Sequence, residues 1–178
     1  MPSTQISPSS HFSYTISPAR TPADIEAIRG LLHIYNKTQI DELALGAEAA
    51  SLPGRYSLPH GEMLLARLTS AELKPIGWIG LRPFPELSEP RAQIRYTDVC
   101  EAKRLFVLEE YRGLGIGRAL VQAVVGAAKE NGFKEMRISV EKKLGWEIEM
   151  YKRWGFVDTE KYFESVVPDL VYLALDME

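Results

Sequence analysis

The stretch from Cys100 to Gly132 constrains the fold more than any other part of the chain. Cys100 to Leu108 is rich in apolar and aromatic residues and reads as a strand. Tyr111-Arg112-Gly113-Leu114-Gly115-Ile116-Gly117 is a glycine-rich turn. Ile116, Ala119, Leu120, Ala123, Val124 and Ala127 follow at steps of three and four, which lays one apolar stripe on a helix. Asn131-Gly132 supplies the helix stop. A strand, a glycine turn and a helix start together favour an anion. The first turn of a helix carries N–H groups with no intrahelical partner, and the macrodipole adds partial positive charge. Glycines let a phosphate approach that backbone. Arg112 and Arg118 flank the turn and can add charge-assisted hydrogen bonds. The stretch therefore predicts a pyrophosphate cradle.

Two familiar cradles do not fit. A dinucleotide fingerprint, G-x-G-x-x-G/A, would need Gly or Ala at Arg118 or Leu120, and a P-loop would need G-x-x-x-x-G-K-[ST]. The pattern present is Arg112-x-x-Gly115-x-Gly117 after a strand and opening a helix. It resembles the coenzyme A loop of the GNAT superfamily of acyl-CoA-dependent N-acyltransferases. The resemblance implies that Arg112, Gly113, Leu114, Gly115, Ile116, Gly117 and Arg118 hold the diphosphate of acetyl-CoA.

The 178 residues suit one domain, expected over 11–178 after a disordered Ser/Pro/Thr-rich tail at 1–10. The 46% hydrophobic and 25% charged content is that of a soluble globular protein. A net charge of −3 argues against broad nucleic-acid binding and is compatible with a cationic acceptor. No apolar run approaches the ~20 residues of a membrane span, and the N-terminus lacks a signal-peptide pattern. One cysteine excludes an intrachain disulfide, and with three scattered histidines it gives no metal cluster. The expectation is a cytoplasmic enzyme, monomer or homodimer, with no metal, nucleic-acid or membrane partner.

Elsewhere the chain predicts a strand over His11–Ser17 and a helix after Thr21-Pro22, with Thr21 as N-cap. A second helix is expected over Gln39–Ala50, then a Pro/Gly loop over Ser51–Gly61. Strands are expected at Glu62–Leu68 and Ile76–Leu81, followed by a long connection over Pro83–Asp98. Phe133–Val140 reads as a strand parallel to the central one, because a helix joins them. Leu144–Trp154 reads as a helix. Short strands from Phe156 and over Asp169–Leu175 close the chain. That order is similar to the GNAT order over roughly Phe12–Asp176. The resemblance implies an α/β (α+β) fold: a mixed, mostly antiparallel sheet with a central splayed parallel strand pair, flanked by helices.

Acyl transfer to an amine needs a base for the amine proton, a polarised carbonyl and an acid for the departing thiolate. Glu101 lies 11 residues before Arg112, the distance at which histone-acetylating members of the superfamily carry a catalytic glutamate. It is the candidate base. Alternation puts Glu101, Lys103, Leu105 and Val107 on one strand face, and burial there would raise the Glu101 pKa. The competing reading makes Glu101 a structural partner of Lys103 or Arg104. Tyr151 stands in Met150-Tyr151-Lys152-Arg153-Trp154-Gly155-Phe156, which resembles the family's Leu-Tyr-x-x-x-Gly-Phe. There the tyrosine can protonate the thiolate, and a phenol remains protonated at neutral pH. The resemblance also implies that backbone N–H groups of Leu105, Phe106 and Val107 meet the thioester and pantetheine beside a local bulge. Two positions depart from the family: many relatives carry Asn and a small residue where this chain has Leu144 and Glu147.

On the acceptor side, Leu52-Pro53-Gly54-Arg55-Tyr56 is similar to a stretch in some small-molecule members, which implies Arg55 and Tyr56 as substrate-binding residues. Tyr162 and Phe163 are candidates for the opposite wall. Cys100 should face away from Glu101, which disfavours an acyl-cysteine route. The function expected is acetyl transfer from acetyl-CoA to a primary amine of a small molecule in a ternary complex. The alternatives are a protein lysine or N-terminal acetyltransferase, and a non-catalytic acyl-CoA-binding module.

Overall fold

Helix α1 (Pro22–Asn36) begins where the sequence places it. The Thr21 hydroxyl accepts from Asp24 N–H at 3.2 Å, and Asp24 accepts from Thr21 N–H at 2.9 Å. This is a reciprocal capping box with Asp in the role more often filled by Glu. Arg67 joins Asp24 at 2.7 Å and ties the helix start to a neighbouring strand.

The computed structural model of the chain describes residues 12–36, 42–69, 72–84, 98–163, 165 and 167–178. The expected tail at 1–10 and nearly all of the expected connection over Pro83–Asp98 lie outside them. The remaining elements are β1 (Tyr14–Pro18), α2 (Glu42–Ser51), β2 (Glu62–Leu68), β3 (Pro75–Pro83), β4 (Val99–Val107), α3 (Ile116–Glu130), β5 (Glu135–Glu141), α4 (Gly145–Arg153), β6 (Val157–Asp158) and β7 (Leu170–Asp176). Most boundaries lie within three residues of the sequence expectation, but the strand expected from Phe156 towards Phe163 stops at Asp158, and the expected start of α2 at Gln39 lies outside the described residues. A strand ends where its ladder ends, which side-chain pattern alone does not reveal.

One sheet runs in the order β1-β2-β3-β4-β5-β7-β6. Every pairing is antiparallel except β4 with β5. Helix α3 covers one face, where Ile116, Leu120, Val121, Val124 and Ala128 bury against Leu64, Leu81, Cys100, Ala102 and Met136. Each full-sized aliphatic side chain there contributes about 1.5–3 kcal/mol of transfer free energy. Helix α1 covers the other face, packing Ile28, Leu31 and Leu32 against Leu65, Trp78 and Phe106. A third cluster, Phe84, Val99, Tyr162 and Tyr172, closes the β3–β4 end. No helix among the described residues is long and apolar enough to cross a membrane.

Candidate active site

The site begins where β4 and β5 part. Their parallel pairing consists of Val99 with Glu135, Cys100 with Met136 and Glu101 with Arg137. Beyond it β4 runs on to Val107 and β5 to Glu141 with no further pairing. Across the other edge, Phe106 sits opposite Trp78 but Lys103 sits opposite Gly80. Three steps on β4 therefore match two on β3, a bulge at Arg104, whose φ is +61°. The extra residue adds twist and turns β4 away from β5.

The bulge overturns one sequence expectation. Glu101 and Lys103 share a face, and Lys103 Nζ lies 3.1 Å from Glu101 Oε1. Leu105 and Val107 do not join them. Both pack in the α3-side core, while Phe106 enters the α1-side core. One inserted residue inverts a period-two pattern, so every side chain after Arg104 changes face. The guanidinium of Arg104 is clamped by Glu48 of α2, Nε to Oε1 at 3.0 Å and one Nη to Oε2 at 2.6 Å. The Tyr56 hydroxyl donates to the same Glu48 at 2.7 Å. Helix α2 thus braces an unfavourable backbone conformation in β4.

The glycine turn opens α3 as expected. Gly113 and Gly115 have φ of +75° and +81°, values L side chains rarely adopt. Gly115 is the N-cap and no side chain caps the helix, so the first-turn N–H groups are left for another acceptor. Leu114 and Arg118 are exposed, while Ile116 anchors the turn in the core. Arg112 donates through Nε to Val107 O at 3.0 Å and lies over the Phe106 ring. That bond fixes the turn to the end of the splayed strand. The shape, the donors and the positive backbone conformations fit a diphosphate.

Glu101 is fully buried and accepts from four donor atoms. Arg82 reaches Oε2 through Nε at 2.8 Å and an Nη at 2.6 Å; Lys103 and the Tyr162 hydroxyl reach Oε1 at 3.1 and 3.0 Å. The expected rise of its pKa is corrected. Burial alone would raise it, but Lys103 and Arg82 outweigh burial and hold the carboxyl below the ordinary glutamate value. Lys103 Nζ also donates to Ser139 Oγ at 3.0 Å, spanning the gap between β4 and β5 just beyond their last pair. Burial holds the Lys103 pKa below normal despite Glu101.

Tyr151 is buried, locked edge-on against Trp154 and Phe156. Its hydroxyl has no hydrogen-bond partner among the described residues. Burial first, then Glu147, pushes its pKa up, which keeps the phenol protonated. Glu147 stands one turn earlier on α4. Its half-buried carboxyl makes no hydrogen bond or ion pair among the described residues, and burial raises its pKa against the pull of Arg112. Cys100 is buried on the α3 side with its thiol pushed well above its usual pKa by burial, so it is a core residue. Among the described residues no group of three or more His, Cys, Asp or Glu is placed to hold a metal.

The two acceptor-side candidates separate. Tyr56 is buried, its ring filling the space where a Cβ on Gly80 would sit. Arg55 is exposed on a 3-10 turn, Gly54–Tyr56, and donates to Pro83 O at 3.0 Å. Tyr162 is buried behind Glu101, and the Phe163 ring lies 5.1 Å from Lys103 Nζ. Sequence reasoning did not find Arg82 or Ser139. Arg82 pairs with Glu101 through the β3–β4 register, and no local pattern carries that signal.

A splayed parallel pair, a bulge at its edge and a glycine-rich helix start define an acyl-CoA-binding fold. Residues 29–156 match the acetyltransferase (GNAT) family, and the chain belongs to that family. An uncharacterised N-acetyltransferase of Schizosaccharomyces pombe is 29% identical over 166 residues, spanning 92% of this chain and 94% of that protein. Human N-acetyltransferase 8 is 31% identical over 138 residues, 76% of this chain and 56% of that protein. A GNAT acetyltransferase from Staphylococcus aureus superposes with a TM-score of 0.73 at 16% identity, covering 93% of this chain and all of that one. A Salmonella typhimurium acetyltransferase with acetyl-CoA bound superposes with a TM-score of 0.70 at 16% identity, covering 93% and 94%. The protein is an acetyl-CoA-dependent N-acetyltransferase.

Proposed function

We propose that the protein moves the acetyl group of acetyl-CoA to a primary amine of a small molecule by direct attack within a ternary complex. The observation that carries this reading is the buried Tyr151 hydroxyl, without a hydrogen-bond partner among the described residues, on α4, the helix that follows splayed strand β5. Acetyl-CoA supplies an activated thioester carbonyl. The first-turn N–H groups of α3, with Arg112 and Arg118, hold its diphosphate. The backbone of Leu105, Phe106 and Val107 lines the opened edge of β4, where N–H groups can stabilise charge on the carbonyl oxygen. Tyr151 then donates its proton to the departing sulfur.

Glu101 enters as the buried anion that holds Arg82 and Lys103 beside the acceptor. Its four donors and depressed pKa weaken it as a base acting by contact. A second reading assigns the base to Glu147, because its raised pKa and its lack of donors among the described residues are what proton removal needs. Structural neighbours of the fold include one named for phosphinothricin and one for an alanine of a ribosomal protein, so the fold alone leaves the acceptor open. The amine is assigned to a small molecule because Arg55 and the Glu48–Arg104 clamp wall the acceptor side. The cytoplasm is the compartment proposed, where acetyl-CoA is available.

The test is Tyr151→Phe, followed by thiol release. The expected loss is roughly 10²–10⁴-fold in kcat with little change in acetyl-CoA affinity. An unchanged kcat would remove Tyr151 as the acid. Pairing it with Glu101→Gln and Glu147→Gln decides the base: the true one loses the acidic limb of the pH–rate profile.

A further inference from the structure

Among the described residues, the end of the site formed by β3, β4 and α2 carries more positive charge than its carboxylates offset. Arg55, Arg82, Lys103 and Arg104 cluster around Glu48 and Glu101. Glu48 is taken by Arg104, and Glu101 is shared between Arg82 and Lys103. Arg55 has no carboxylate among the described residues within ion-pair distance. Among the described residues it donates to the Pro83 carbonyl, the residue after Arg82 on β3.

We propose, resting on the N-acetyltransferase reading above, that the acceptor is an amine bearing a carboxylate, and that Arg55 with the solvent edge of Arg82 binds that carboxylate. The guanidinium of Arg55 has five N–H donors, and the hydrogen bond to Pro83 engages a single Nη. Arg82 faces Glu101 with Nε and one Nη, yet its side chain remains 18% exposed. A carboxylate matches such a planar fork in a bidentate manner. Burial, and then the like charge of Arg82, hold the Arg55 pKa below its ordinary value. An arriving anion relieves that repulsion.

The same surplus selects against the alternative. A simple amine reaches the enzyme as an ammonium, which a net positive pocket repels. A carboxylate on the same molecule offsets that repulsion. The neighbouring cations then favour loss of the ammonium proton, which produces the neutral nucleophile the transfer needs.

The experiment compares α-amino acids with their decarboxylated amines and methyl esters, otherwise matched, by thiol release from acetyl-CoA. The expected result is a kcat/KM at least ~10-fold higher for the free carboxylates. Arg55→Ala should then reduce that preference roughly 10- to 100-fold, through KM. Arg55→Lys, which keeps the charge but not the fork, should retain part of it. Equal or better turnover of the decarboxylated amines overturns the proposal and leaves the acetyltransferase reading standing, as does a preference that Arg55→Ala leaves intact. No turnover in any arm overturns the proposal. Calorimetry with acetyl-CoA on the same protein then reports whether the coenzyme site falls with it.

Discussion

Glu147 shows how one substitution against a family pattern changes local physics. The resemblance marks its position as one usually filled by a small residue. Here a carboxylate occupies it, half-buried and without a donor among the described residues, beside Tyr151. Its folded pKa is raised, so the folded state binds a proton more readily than the unfolded chain does. That contribution opposes folding above the ordinary glutamate pKa and vanishes below it. Glu147→Gln should therefore raise Tm at neutral pH, with the gain disappearing as the pH falls below the usual glutamate range. Thermal unfolding followed across pH checks both halves. A Tm gain that persisted at low pH would assign the effect to packing.

At the scale of elements, the bulge in β4 is held from outside the strand. Arg104 adopts a left-handed conformation that an arginine does not favour, and the bidentate bond to Glu48 on α2 keeps it there. Glu48→Ala should destabilise the fold by about 2 kcal/mol, a value discounted because both side chains keep some solvent contact. Activity should fall further than stability explains, because the splay of β4 from β5 would lose its brace. Urea unfolding and kcat/KM on the same variant separate the two effects. The strand–turn–helix unit from Val99 to Glu130 was legible because strand alternation, glycine and helical spacing are local. The bulge was not, since nothing about Lys103-Arg104-Leu105 distinguishes it from ordinary strand.

Across the whole molecule, several carboxylates are held ionised by partners both near and far in sequence. Asp24 is lowered to about 2, chiefly by the Thr21 backbone N–H, with Arg67 adding to it. For Glu48 and Glu101, burial is outweighed by Arg104 in one case and by Lys103 and Arg82 in the other, so both lie below their ordinary values. Depressed carboxylates contribute stability that is present above their unfolded pKa values and lost as pH falls through the folded ones. Stability should therefore be flat near neutrality and decline progressively from about pH 4 towards pH 2. Asp24→Asn should cost about 1 kcal/mol at neutral pH and make that decline shallower. Circular dichroism against pH tests it. The net charge of −3 is compatible with a cationic acceptor, yet among the described residues Arg82, Lys103 and Arg104 meet only Glu48 and Glu101. A sum over the chain says little about a pocket assembled from β3, β4 and α2.

What the residues determined alone was everything that depends on neighbours in the chain: the capped start of α1, the amphipathic α3, the glycine conformations at its entrance and the order of strands and helices. Those follow from dihedral preference and hydrophobic period, which act over a few residues. What only the tertiary structure decided was how distant charges meet. The ion network around Glu101, the brace on Arg104 and the bond from Arg55 to the Pro83 carbonyl depend on strand register and on where α2 lies. Coulomb energies follow distance in space, and the order of residues along the chain does not fix that distance.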